Sequence, residues 1–177
     1  MSVMKPIVDI KVETKRLRRR TVILMWNPSI SDYVMDDFEL DLEMIAESYG
    51  DVDFSWEVWD HENVKYGDVF YMIKVGPGVN GVVMHGSFDS SPYEGEDWSA
   101  RGRKVFYSKL DIDEMIHPDK CPLLTSDELA AEIADFDWYG GHSGRVLTKD
   151  QAKKISILWK KYLEKNEDIF KPRAFKF

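Results

Sequence analysis

The chain has 177 residues, enough for one domain with a real core and little room for a second. A hydrophobic fraction of 44% excludes global disorder, and the lone cysteine, Cys121, excludes an internal disulfide and fits a reducing, cytoplasmic compartment. The net charge of −8 is unevenly spread: residues 1–20 hold seven Lys/Arg against two Asp/Glu, 145–177 hold ten against four, and 21–144 carry a net −19.

Both ends are therefore basic and would form one basic patch if folding brought them together. No apolar run reaches the roughly 18 residues of a membrane helix, and the opening lacks an apolar signal core, so no membrane partner is expected. Aromatic residues make up 13% of the chain, six of them Trp, which points to stacking surfaces or large core plugs.

Lys5–Glu13 alternates well enough for an edge strand, and the compact basic run 15–20 follows it. Thr21–Trp26 is continuously apolar and reads as a strand buried on both faces, stopped at Asn27-Pro28-Ser29. Ser31–Tyr49 has Ser31 as an N-cap, Phe38, Leu42, Ile45 and Tyr49 on one face, and Gly50 as a stop, which predicts an acidic amphipathic helix. Phe54–Trp59 alternates aromatic and polar, and 60–66 reads as a loop or single turn.

Two runs, Val69–Val75 and Gly81–Phe88, flank Gly76-Pro77-Gly78-Val79-Asn80 and predict a β-hairpin at the centre of a small barrel. Tyr93–Arg103 is polar and predicts an exposed loop, and Lys104–Asp113 another strand. Thr125 with Glu128 and Thr148 with Gln151 are capping boxes. The first precedes a short helix over Leu129–Phe136; the second opens a helix reaching about Lys165, with Leu147 as a hydrophobic staple. Ala152, Ile155, Leu158, Trp159, Tyr162 and Leu163 form its apolar stripe, and its lysines take the wet side.

No motif names a reaction. His117-x-x-x-Cys121 has ligand spacing, but Pro118 and Pro122 break the helix and no second pair completes a zinc set, so the reading is structural and no metal is expected. Gly141-His142-Ser143-Gly144 lacks the glycine of a nucleophile elbow, since Arg145 stands there, and reads as a flexible loop. Gly76–Gly81 joins two strands and has no Lys-Ser/Thr ending, which excludes a phosphate loop.

Trp26 at a strand end, Trp56 and Trp59 three apart, and Trp98 in a polar loop are each compatible with a core plug or with a pocket that stacks a planar base. Trp26-Asn27-Pro28-Ser29, an acidic helix, Trp56–Trp59, Gly67-Asp68-Val69-Phe70-Tyr71, Gly81-Val82-Val83-Met84-His85-Gly86-Ser87-Phe88 and Ser90-x-Pro92 together resemble the EVE-like branch of the PUA-like superfamily. Ser143-Gly144-Arg145-x-Leu147 leading into Gln151–Tyr162 is similar to the closing helix of such domains. The G-x-K-x-x-E-x-R motif of the sister branch, ASCH, is absent.

This resemblance implies an α+β fold, a PUA-like mixed β-barrel of five or six strands with flanking helices, over 21–165. Residues 1–20 would be a basic arm or edge strand and 166–177 a tail. It further implies DNA or RNA as partner, with a modified base flipped into an aromatic-walled pocket and no cofactor. The pocket would draw on Trp26, Asn27, Ser29, Trp56, Trp59, His85, Gly86 and Ser87. Arg16, Arg18, Arg19, Arg20, Arg101, Arg103 and Arg145 would hold phosphates. The rival readings are an acidic interaction protein that mimics nucleic acid and a small hydrolase on the same barrel. The residues do not tell an oligomeric state.

Overall fold

The computed structural model describes residues 18–47 and 52–170. The expected edge strand at Lys5–Glu13, the helix stop at Gly50 and the last seven residues lie outside them.

The apolar run forms β1 (Thr21–Trp26), buried over Val22–Trp26 as its continuous hydrophobicity predicts. It pairs in parallel with β3 (Val69–Lys74), the first strand of the central hairpin. β4 (Gly81–Phe88) returns antiparallel, and β6 (Val105–Met115) pairs with its far side. β2 (Phe54–Glu57) pairs with β6 at one edge, and the two-residue β7 (Arg145–Val146) pairs with β1 at the other. The order across the sheet is β2-β6-β4-β3-β1-β7, six strands in a curled sheet. A seventh strand, β5 (Tyr93–Gly95), adds to β6 within the stretch expected to be loop. Gly95 permits that pairing, because a Cβ there would meet the Tyr107 ring at 2.6 Å.

The two edges meet. Beyond β2, the Trp59 and Asp60 N–H groups donate to the Ser143 and Gly144 carbonyls (2.8 and 3.0 Å), and the Gly144 N–H donates to Ile23 O (2.8 Å). Gly144 has φ +91°, and a Cβ on it would stand 2.6 Å from Trp59 N and Val58 Cα. Only glycine lets the backbones approach this closely. The stretch that read as a flexible loop is the seam that closes the barrel.

Among the described residues four helices flank the sheet: α1 (Met35–Ala46), α2 (Ser126–Glu132), α3 (Lys149–Lys165) and α4 (Glu167–Phe170). Both predicted capping boxes form, with Thr125 Oγ1 accepting from Glu128 N and Thr148 Oγ1 from Gln151 N (3.2 Å each). α3 buries Ile155, Trp159 and Tyr162 as its stripe predicts. α2 begins at its cap but ends at Glu132, where Trp138 folds back and its indole N–H takes the Ile133 carbonyl.

α1 begins three residues later than Ser31 as N-cap implies. The Ser31 hydroxyl accepts from Tyr33 N instead, and the Tyr33 carbonyl accepts the Trp26 indole N–H (2.7 Å), which holds the chain out of the helix to Val34. Phe38 then stacks on Trp26, ring centroids 4.9 Å apart. No helix among the described residues is long and apolar enough to cross a membrane.

The seam yields a direct test. Gly144→Ala should destabilise the protein by about 1–3 kcal/mol through overpacking alone, with further strain from the positive φ. Urea unfolding should show the midpoint shift, and an unchanged midpoint would remove the seam from the account of the fold.

Candidate nucleic-acid interface

A cavity of about 860 Å³ opens beside the seam. Met25 and Asn27 reach it from the end of β1, Phe54, Ser55, Trp56, Glu57 and Trp59 from β2 and its continuation, and Gly140–Ser143 from the closing loop. Trp98, Arg101, Arg103 and Tyr107 complete the wall from the loop between β5 and β6 and from β6 itself.

Trp56 is locked in place. Its indole N–H donates to Ser143 Oγ (3.1 Å) and to Met25 O (3.3 Å), and Ser143 Oγ also accepts from Met25 N (3.0 Å). One hydroxyl therefore ties the closing loop, β1 and β2 together. Phe54 stacks on the Trp56 ring at 5.6 Å and Tyr33 meets it edge-on at 5.7 Å. Tyr33 donates to Asp41 Oδ2 (2.6 Å); burial, then that hydrogen bond, pushes its hydroxyl far up, so it remains a donor.

Farther out the aromatics are open. Trp59 is 53% exposed and lies flat on His142, centroids 3.6 Å apart. Trp98 is 43% exposed, with its indole N–H on Glu57 Oε2 (2.8 Å). Tyr139 is also exposed, its hydroxyl donating to Asp127. These are large apolar faces that the fold leaves in water beside a concavity, the pattern of a ligand surface more than of core packing.

The Asp97 carboxylate organises the loop that carries Trp98. It accepts from the N–H groups of Ser99, Arg101 and Arg103, from Ser99 Oγ (2.6 Å) and from the Arg103 guanidinium (Nε 3.2 Å). The Arg103 bond, followed by the Ser99 hydroxyl, holds the Asp97 carboxyl well below the usual carboxylate range. Ala100 takes φ +57° in this loop, the one non-glycine residue with positive φ among the described residues. Nothing in the polar composition of 93–103 singled out Asp97. An Asx-turn pattern, Asp97-x-Ser99, was the available signal.

Of the residues the sequence nominated for the pocket, the structure brings Asn27, Trp56 and Trp59 to this cavity. Asn27 Oδ1 accepts from the Ser29 N–H and hydroxyl (3.1 and 2.6 Å), so Ser29 acts as its support. Trp26 is 1% exposed, a core plug between Phe38 and Tyr33. His85, Gly86 and Ser87 lie on β4 and line no part of the cavity.

Among the arginines, Arg101 and Arg103 line the cavity, and Arg18 and Arg19 are exposed; Arg16 is outside the described residues. The Arg20 guanidinium donates to Asn63 O and Oδ1. Arg145 donates to the carbonyls of Asp137, Gly140 and His142 and lies 4.3 Å over the Phe136 ring, so its side chain shapes the closing loop. His117 is similarly satisfied, with Nε2 on Glu39 Oε1 (2.9 Å) and Nδ1 accepting from Asp119 N.

The architecture is a mixed α+β fold, a curled sheet with flanking helices. A hypothetical protein from Leishmania major has a similar structure, at 13% identity and a TM-score of 0.52, covering 82% of this chain and 97% of that one. So does the YTH domain-containing protein Mmi1, solved as a complex with RNA, at 11% identity and a TM-score of 0.50 over 88% and 94%. At these identities the likeness is one of fold. No family model and no curated protein matches the chain.

The Asp97 geometry sets a pH expectation. Its folded pKa lies below the unfolded value of about 3.9, so the loop's order is complete above that value and is lost as pH falls through the folded one. The Trp98 indole resonance in an NMR pH series should hold its position below pH 4 in the wild type. Asp97→Asn should shift it at every pH; a Trp98 signal indifferent to the substitution would show that the carboxylate does not organise the loop.

Proposed function

We propose that this chain is a nucleic-acid-binding module of the EVE-like kind that takes one extruded, modified base into the aromatic cavity at the barrel seam. The observation that carries this reading is the exposure of Trp59 and Trp98 at a cavity whose deeper wall is the anchored Trp56. Base–aromatic stacking contributes about 1–3 kcal/mol per base, which offsets much of the few kcal/mol that unstacking a base costs.

The polar lining suits a base edge. Asn27 lines the cavity, and its Nδ2 makes no hydrogen bond among the described residues, which leaves it as an available donor. Asp32 and Asp53 line the same space and would accept from exocyclic amino groups while repelling phosphate. The sugar–phosphate chain would then run past Arg101 and Arg103. The fold shared with an RNA-bound domain makes RNA the first substrate to try.

The test is fluorescence anisotropy with short single-stranded RNA and DNA, plain, methylated and hydroxymethylated, over a salt series. Binding should prefer one modified oligonucleotide and weaken as salt rises. Trp98→Ala should reduce affinity on the order of tenfold, and Arg101→Ala should flatten the salt slope by about 0.7. No binding across the panel at low salt would overturn the proposal, and capture of a basic peptide instead would favour the acidic-interaction reading.

A further inference from the structure

His85, nominated for a base pocket, sits elsewhere in a more ordered setting. The ladder pairs His85 with Glu114 and Gly86 with Ile112, which leaves Asp113 as the extra residue of a β-bulge. In an unbroken strand Asp113 and Glu114 would point to opposite faces. Here one ligand atom each from His85, Asp113 and Glu114 lie within 4.8 Å of one another. The bulge depends on Gly86, whose Cβ would fall 2.0 Å from Asp111 O.

The imidazole is held between Tyr71 and Trp159, centroids at 4.7 and 5.4 Å, and its Nδ1 meets Glu114 Oε2 at 2.6 Å. Opposite an acceptor-only carboxylate, Nδ1 carries the proton. Both side chains are 19% exposed, open enough for an ion to enter. Asp113 is exposed, so the group opens to solvent on one side. Two carboxylates that crowd each other beside an oriented imidazole are a standing deficit of positive charge.

We propose that His85, Asp113 and Glu114 form a binding site for a divalent transition-metal ion of the zinc class. One imidazole nitrogen and two carboxylates supply three protein ligands and leave a position for solvent, the composition of an open zinc site. The imidazole selects zinc and its neighbours in the first transition row over magnesium. Metal–ligand bonds of about 2.0–2.2 Å need ligand atoms farther apart than the present His85–Glu114 contact, so the ion enters by displacing the Nδ1 proton as Glu114 rotates away. None of the three residues lines the aromatic cavity, so this site stands or falls independently of base binding.

The full chain, stripped with a chelator, is titrated with Zn2+ by calorimetry and with Co2+ by visible absorption, alongside Mn2+ and Mg2+. A single equivalent of Zn2+ should bind, more tightly than Mn2+, with Mg2+ silent, and tryptophan fluorescence should change because Trp159 packs against His85. Asp113→Asn and Glu114→Gln keep shape and hydrogen bonding. Each should weaken Zn2+ about tenfold or more while leaving the metal-free melting temperature in place. His85→Ala should abolish binding; if it fails to fold, the two carboxamide variants decide. No Zn2+ binding by the wild type, unchanged binding in the variants, or Mg2+ binding as tight as Zn2+ would each overturn the site.

Discussion

The close approach of Gly144 to the backbone of Val58 and Trp59 is the constraint on which the rest depends. Two edge strands, β2 and β7, would otherwise present unpaired N–H and C=O groups to solvent, and a sheet of this curl has to close or cover them. Two backbone hydrogen bonds cross the seam and a third ties Gly144 to β1, at a separation no side chain allows. Closure also brings Trp56, Trp59, His142 and Ser143, residues from opposite ends of the sheet order, to one place. The aromatic cavity is thus a consequence of how the barrel shuts.

Around that seam the polar groups act as fasteners for apolar surfaces. Ser143 Oγ joins three segments and fixes the Trp56 ring; the Asp97 carboxylate gathers the 97–103 loop and presents Trp98; Arg145 ties down 137–142 through their carbonyls. Each bond contributes about 0.5–1.5 kcal/mol net, more where a charge is involved, but its larger effect is to hold stacking faces open and oriented before a ligand arrives. The barrel's other feature, the bulge at Gly86, works the same way on different chemistry: a backbone irregularity points neighbouring polar side chains to one side.

The secondary structure was largely legible because it rests on local rules. Thr125 with Glu128 and Thr148 with Gln151 announce their helices by spacing alone, and the run from Thr21 to Trp26 could only be a buried strand. Errors fell where a distant partner overrides the local rule. Ser31 is a good N-cap by type, yet the Trp26 indole claims the Tyr33 carbonyl and delays α1. Tyr93–Gly95 is too short and polar to read as a strand, and β6 recruits it. Trp26 and Trp56 are alike on paper; one is sealed against Phe38 and the other lines the cavity.

Periodicity and capping chemistry by themselves determined the buried first strand, the central hairpin and a lysine-faced helix, because these signals act over a few residues, whereas the α+β barrel was what the family resemblance implied. Tertiary structure alone decided which aromatics stay open, which arginines are committed to carbonyls, and that His85 meets Glu114 across a bulge. Those outcomes depend on contacts between residues tens of positions apart, set by strand register and by one glycine at the seam, and no short window of sequence contains them.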